Sequence, residues 1–146
     1  MPFQEKPGVL EWKVHFASPI EKVFEALTTD KGRGTFWAEK TQETNGWIEF
    51  NILHYPPYQA EILEITPPQT FRLVYFGTDT TFSLIQTADQ GTDLHLKALI
   101  PNEPLKQEMA AGWASVLMAM KAAVDFGVDL RNHHPDRVWE KGYLDN

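Results

Sequence analysis

The sequence predicts an α+β fold: a curved six-stranded antiparallel sheet wrapped around one long C-terminal helix, with two short helices after the first strand. Three observations predict it. Leu105, Met109, Trp113, Val116, Leu117, Met120, Val124 and Gly127 recur at steps of three and four between Glu103 and about Asp129, the period of a helix with one apolar face. Short strand-like runs precede that helix, separated by turn residues and not by further helices, which favours an antiparallel meander. A sheet with one apolar face must cover it, and a long amphipathic helix arriving last can do so. Where a curved sheet grips such a helix, a cavity can remain between them.

Each element follows from local chemistry. Leu10, Trp12, Val14 and Phe16 alternate with Glu11, Lys13 and His15, the period of a half-buried strand. Ser18-Pro19-Ile20-Glu21 then reads as a helix start, with Ser18 as N-cap, Pro19 at the first helical position and Glu21 closing a capping box. Ile20, Val23, Phe24 and Leu27 form one helical stripe that ends near Thr28. A second short helix is expected between Asp30 and Ala38, capped by Asp30, although Gly32 and Gly34 each cost a helix about 1 kcal/mol. Asn45-Gly46 is a turn signal. Strands are expected at residues 47–53, 59–66, 70–77, 80–87 and 92–100, with Pro56-Pro57, Pro67-Pro68, Gly77-Thr78-Asp79 and Asp89-Gln90-Gly91 between them. Pro101-Asn102-Glu103-Pro104 breaks the last strand and opens the long helix.

The 146 residues suit a single domain, read as a core over residues 9–129 and a tail over residues 130–146. The tail holds Val138, Trp139, Tyr143 and Leu144, too apolar for a disordered end, and is expected to pack on the body or on a second subunit. Thirteen basic against 20 acidic residues give a formal charge of -7. That surface repels phosphate backbones and anionic membranes, so neither nucleic acid nor membrane is expected as a partner. With no cysteine, disulfides, thiolate catalysis and Cys-ligated metals are excluded. The N-terminus, from Met1 to Gly8, has no apolar core of signal-peptide length, and no apolar run approaches a membrane span. A cytoplasmic protein is expected.

The order of elements resembles the START-like, or helix-grip, superfamily. A closer resemblance is to the bacterial family related to the C-terminal domain of the activator of the heat-shock-protein-90 ATPase. Four stretches carry it. Phe16 to Thr28 is similar to the family's strand-to-helix opening. Phe36-Trp37 stands where members commonly carry a Trp pair. Glu64 to Tyr75 resembles the central hairpin, and Gly112-Trp113 resembles a Gly-Trp signature on the long helix. The resemblance covers about residues 9–129, with Phe36 and the Gly32/Gly34 pair as departures. It implies a cavity under the long helix that binds an apolar small molecule. It does not imply chaperone activation, because a separate N-terminal domain of that activator supplies much of the chaperone contact.

The residues expected to face such a cavity are Trp12, Val14 and Phe16, then Phe36 and Trp37, then Ile48, Phe50 and Ile52, then Phe82, Leu84, Leu94 and Leu96. Trp113, Leu117 and Met120 face them from the helix. The same stripes also describe a solid core. No catalytic residue, cofactor or metal site is expected. His54, Tyr55, Tyr58 and Glu61 gather near one hairpin end, where they can orient a ligand or exchange protons, but a solvated loop is the plainer reading. His95 belongs to an outward polar row with Asp93 and Lys97. Asp129, His133, His134 and Asp136 are metal-ligand types without ligand spacing, and Arg131 and Arg137 offer them ion pairs instead. Lys31-Gly32-Arg33-Gly34 is too short to cradle a phosphate. Phe71, Leu73 and Tyr75 on one face of a strand, with Val74 and Phe76 on the other, call for cover on both sides and suggest a homodimer. The expected function is binding of an apolar or amphipathic small molecule. The alternatives are a small cyclase- or hydrolase-like enzyme of the superfamily, or a chaperone-associated interaction protein.

Overall fold

Seven strands, not six, form the sheet. The computed structural model describes residues 4–146; Met1, Pro2 and Phe3, which begin the segment read above for a signal peptide, lie outside the described residues. The elements run β1 (Val9–Phe16), α1 (Ile20–Thr28), α2 (Asp30–Arg33), β2 (Lys40–Thr44), β3 (Trp47–Asn51), β4 (Tyr58–Thr66), β5 (Thr70–Tyr75), β6 (Thr78–Gln86), β7 (Thr92–Leu99) and α3 (Glu103–Phe126), followed by a 3₁₀ turn at Trp139–Lys141. All neighbours are antiparallel, in the order β1-β7-β6-β5-β4-β3-β2. The unexpected strand is β2, Lys-Thr-Gln-Glu-Thr, in which only Thr41 is buried. An edge strand with one buried side chain shows no apolar alternation. Asn45-Gly46, both at positive φ (51° and 82°), turns it tightly into β3, as that dipeptide favours.

Register places the apolar residues on one face. Trp12 pairs with Leu96 and Val14 with Leu94 across β1 and β7; Phe82 pairs with the same Leu96 and Leu84 with Leu94 across β6 and β7. Phe71 opposes Phe82. These side chains meet Val23 and Leu27 of α1 and Leu117 and Met120 of α3 in one buried cluster. The other sheet face carries Ile85 and Leu99 to solvent.

Two helix ends differ from the sequence reading. The N-cap of α1 is Pro19, with no side-chain cap. Ser18 instead donates its hydroxyl to Asp125 (2.7 Å), whose carboxylate also accepts from the Ala17 and Ser18 amides (2.9 and 3.1 Å). Asp125 sits in the last turn of α3, so the chain entering α1 is held by the far helix and not by a local cap. The α2 helix is only four residues long and is capped by the Thr29 hydroxyl, not by Asp30. A Cβ on Gly32 would lie 2.6 Å from the backbone of Ala26; glycine there permits the close α1–α2 approach. The long helix behaves as expected at its start, where Asn102 accepts from the Leu105 amide (2.8 Å). It ends at Phe126 and not near Asp129, because Gly127 takes a left-handed φ of 65° and closes the terminus. By length and composition α3 is apolar enough to cross a membrane, but here it is the core helix of the domain.

Candidate functional site: an aromatic cavity beside the long helix

One row of α3, Ala110, Trp113, Leu117, Met120 and Val124, is buried against the sheet. The neighbouring row, Leu105, Met109, Gly112, Val116 and Ala119, borders open space. A helix apolar on two adjacent rows must cover both. The first is covered by the sheet. The second forms one wall of a cavity of about 870 Å³, within the usual size range of small-molecule sites.

Four other segments complete the walls. The chain after α2 supplies Phe36 and Trp37, the β3–β4 connection supplies Ile52, Leu53 and Tyr55, and the β5–β6 hairpin supplies Tyr75 and Phe76. The C-terminal segment crosses the opening with Leu130, Arg131, Trp139 and Leu144. Trp37 is the hub: its ring lies 4.9 Å from Phe50, 5.4 Å from Tyr75, 5.6 Å from Trp113 and 5.7 Å from Phe82. Tyr75 and Trp113 meet at 5.3 Å. Mostly tilted and edge-to-face pairs of this kind hold rings rigidly, so this wall is pre-formed. Gly112 opens the space: a Cβ added there would meet no atom within 4 Å. Its role is therefore cavity volume.

Of the residues expected at the site, Phe36, Trp37, Ile52 and Trp113 line this cavity. Phe16, Ile48, Phe50, Phe82, Leu84, Leu94, Leu96, Leu117 and Met120 are closed into the core, and Val14 packs against that core partly buried. Trp12 lies on the other flank of α3, donating its indole N–H to the Ala110 carbonyl (2.9 Å) and bordering a separate cleft. The open volume is thus displaced sideways from the space between sheet and helix. Sequence reasoning missed Tyr75, Phe76, Met109, Val116, Leu130 and Leu144 as lining residues. Tyr75 and the tail aromatics were visible as apolar side chains needing cover; which cavity they border depends on how the tail folds back.

The tail is fastened by charge. Arg131 holds Asp129 through two nitrogens (3.0 and 3.2 Å) and donates to the carbonyls of Ala38 and Gly34 (2.8 Å each). His133 sits between Asp129 (2.7 Å) and Glu39 (2.7 Å). These two carboxylates raise the pKa of His133, against a smaller effect of burial. Burial alone would raise Asp129, but hydrogen bonds from Arg131 and His133 outweigh it and hold that carboxyl far below its usual range. Asp129 and His133 are therefore parts of a latch, with Arg131 paired as the sequence suggested. His134 accepts from the Asp136 amide (3.1 Å), and no metal-type grouping occurs among the described residues.

Polar groups at the cavity are few. Burial holds the Tyr75 hydroxyl well above its usual range, opposed weakly by the Trp37 indole N–H. Tyr55 is also pushed up, chiefly by Glu140 beside it. Tyr58 accepts from the Phe76 amide (2.7 Å) and stacks on the Phe76 ring (4.1 Å); it pins the β5–β6 hairpin. His54 and Glu61 are exposed, and His95 pairs with Glu11 (3.1 Å) on the outer side of the sheet.

An antiparallel sheet gripping a C-terminal helix over a lateral cavity defines a START-like protein. The family described as "Activator of Hsp90 ATPase homolog 1-like protein" matches residues 17–125, and the chain belongs to it. No curated protein matches. Among solved structures, protein SSP2350 from Staphylococcus saprophyticus is similar with a TM-score of 0.75 and 22% identity, over 84% of this chain and 96% of that one. The Aha1 dimer from Colwellia psychrerythraea gives 0.72 and 20%, over 82% and 97%. DynU16, described as a putative protein in the dynemicin biosynthetic locus, gives 0.73 and 16%, over 85% of this chain and 49% of that one. At these identities the likeness is one of fold.

Proposed function

We propose that this chain binds an apolar or amphipathic small molecule in the cavity beside α3. The observation that carries the reading is the cavity itself: about 870 Å³, walled by Phe36, Trp37, Tyr75, Trp113 and the Leu105–Met109–Gly112–Val116 row of the helix. Its apolar lining supplies affinity by burial, roughly 25 cal/mol for each Å² removed from water. The binding residues are Phe36, Trp37, Ile52 and Trp113, with Tyr75, Met109, Val116 and Trp139. Core residues such as Phe50 and Phe82 act by holding Trp37 in place. The setting is cytoplasmic, consistent with a chain that has no cysteine. Native mass spectrometry of the purified protein tests the reading: a bound small-molecule mass that survives gentle ionisation and is lost on unfolding supports it.

The family's description favours a second reading, contact with a chaperone. Capture of an Hsp90-type chaperone from buffer at physiological salt would support it over small-molecule binding. The solved dimer of a relative supports a homodimer for this chain as well, and the exposed Met118 and Leu144 at the cavity and the exposed Phe126 are the side chains such a contact would cover. Light scattering is expected to give twice the chain mass; a monomer mass at high concentration opposes it.

A further inference from the structure

Among the described residues, a buried polar atom of the aromatic wall has no hydrogen-bond partner. The Trp37 indole N–H is buried and makes no hydrogen bond, although Trp37 is only 6% exposed. An unpaired buried donor costs free energy that native structures rarely leave unrecovered. Its ring neighbour Tyr75, 5.4 Å away between centroids, also borders the cavity, and no described residue accepts its hydroxyl proton. Both are donors, and both stand in a wall of rings. The polar side chains of the opening are mainly acidic: Glu108, Glu140 and Asp145. The one cation there, Arg131, is spent on Asp129 and two carbonyls.

We infer that the ligand is an uncharged aromatic or polycyclic molecule bearing a hydrogen-bond acceptor oxygen, such as a ketone or quinone carbonyl, which the Tyr75 hydroxyl engages beside the Trp37 indole. This rests on the small-molecule reading above and narrows it. The strongly disfavoured ionisation of Tyr75 keeps its hydroxyl a donor. A carboxylate ligand is rejected twice, by the acidic opening and by the lack of a free cation.

Three matched probes test it: 2-acetylnaphthalene, 2-ethylnaphthalene and 2-naphthoate, titrated by quenching of tryptophan fluorescence. The ketone is expected to bind about three- to tenfold more tightly than the hydrocarbon, the gain of one neutral hydrogen bond, and the carboxylate more weakly than both. Tyr75→Phe keeps the ring packing and is expected to erase the ketone's advantage over the hydrocarbon. Independently of any variant, the carbonyl stretch of the bound ketone is expected at lower frequency than in a dry apolar solvent. Equal affinities for ketone and hydrocarbon, an unshifted carbonyl stretch, or tighter binding of the carboxylate would overturn the inference while leaving an apolar site intact. No saturable binding of any probe would remove the site itself.

Discussion

Asp125 shows how one side chain can replace a local signal. Ser18 is well placed to cap α1, but its hydroxyl turns to Asp125, which also takes two backbone amides and pairs with Lys121 (3.1 Å). The Asp125 side chain is almost fully buried, so removing it takes the acceptor from the Ala17 and Ser18 amides and leaves the Ser18 hydroxyl only the Val124 carbonyl (3.3 Å). Asp125→Ala is expected to cost about 3 kcal/mol in urea unfolding, from charge-assisted bonds worth roughly 1.5–3 kcal/mol each and not additive. Lys121→Ala is expected to cost less than about 1 kcal/mol, since that pair is open to water on the lysine side. Gly112 is the opposite case, a residue whose absent side chain matters. Gly112→Ala places a methyl in open space within a helix and is expected to raise stability by about 0.5–1 kcal/mol. A fall in stability would show that the space is not there.

At the scale of elements, α2 and β2 depend on one buried cation. Arg33 is 0% exposed. It donates to Thr41 (3.0 Å), the Leu27 carbonyl (3.1 Å) and Asp30 (2.7 Å), and so ties α1, α2 and the edge strand together. Arg33→Ala strands Asp30 and is expected to cost about 3–5 kcal/mol. Arg33→Lys is expected to recover little, because an ammonium does not span three separated acceptors as the guanidinium fork does. Equal unfolding midpoints for wild type and Arg33→Lys would contradict this. The same region shows why the strand count was short by one. The five residues of β2 hold their place through Arg33, through Asp30 accepting the Glu43 amide (3.2 Å) and through the Asn45-Gly46 turn; none of these leaves an apolar period. The sheet-facing strands were legible because burial on one face imposes alternation. The stripe of α3 was legible as apolar, but not as two rows. Residues three and four apart read alike until the sheet has taken one row and left the other to a cavity.

At the scale of the whole molecule, the last 17 residues add a further wall to the cavity beside the helix. Leu130, Trp139 and Leu144 roof the cavity, and the Asp129–His133–Glu39 latch holds the roof to the chain after α2. His133 has a raised pKa, so its stabilising charge is complete below its ordinary value near 6.5. It is lost as pH climbs through the raised value, where a detached tail holds fewer protons than a docked one. Asp129, lowered, stays charged throughout that window. Amide exchange over residues 130–146 is therefore expected to quicken as pH rises from about 6 to about 9, beyond the intrinsic base-catalysed increase. His133→Gln is expected to flatten this excess. If the excess persists unchanged in the variant, His133 is not the latch.

The central claim is that α3 closes a core with one row and lines a binding site with the next. Titration of an apolar fluorescent probe into wild type and Gly112→Leu tests it most directly. Wild type is expected to bind saturably at micromolar concentration or better. The leucine variant, folded and with an unchanged or higher melting temperature, is expected to bind at least roughly tenfold more weakly because its side chain occupies the cavity. Absence of saturable binding by the folded wild type, or equal affinity in the two proteins, would contradict the account.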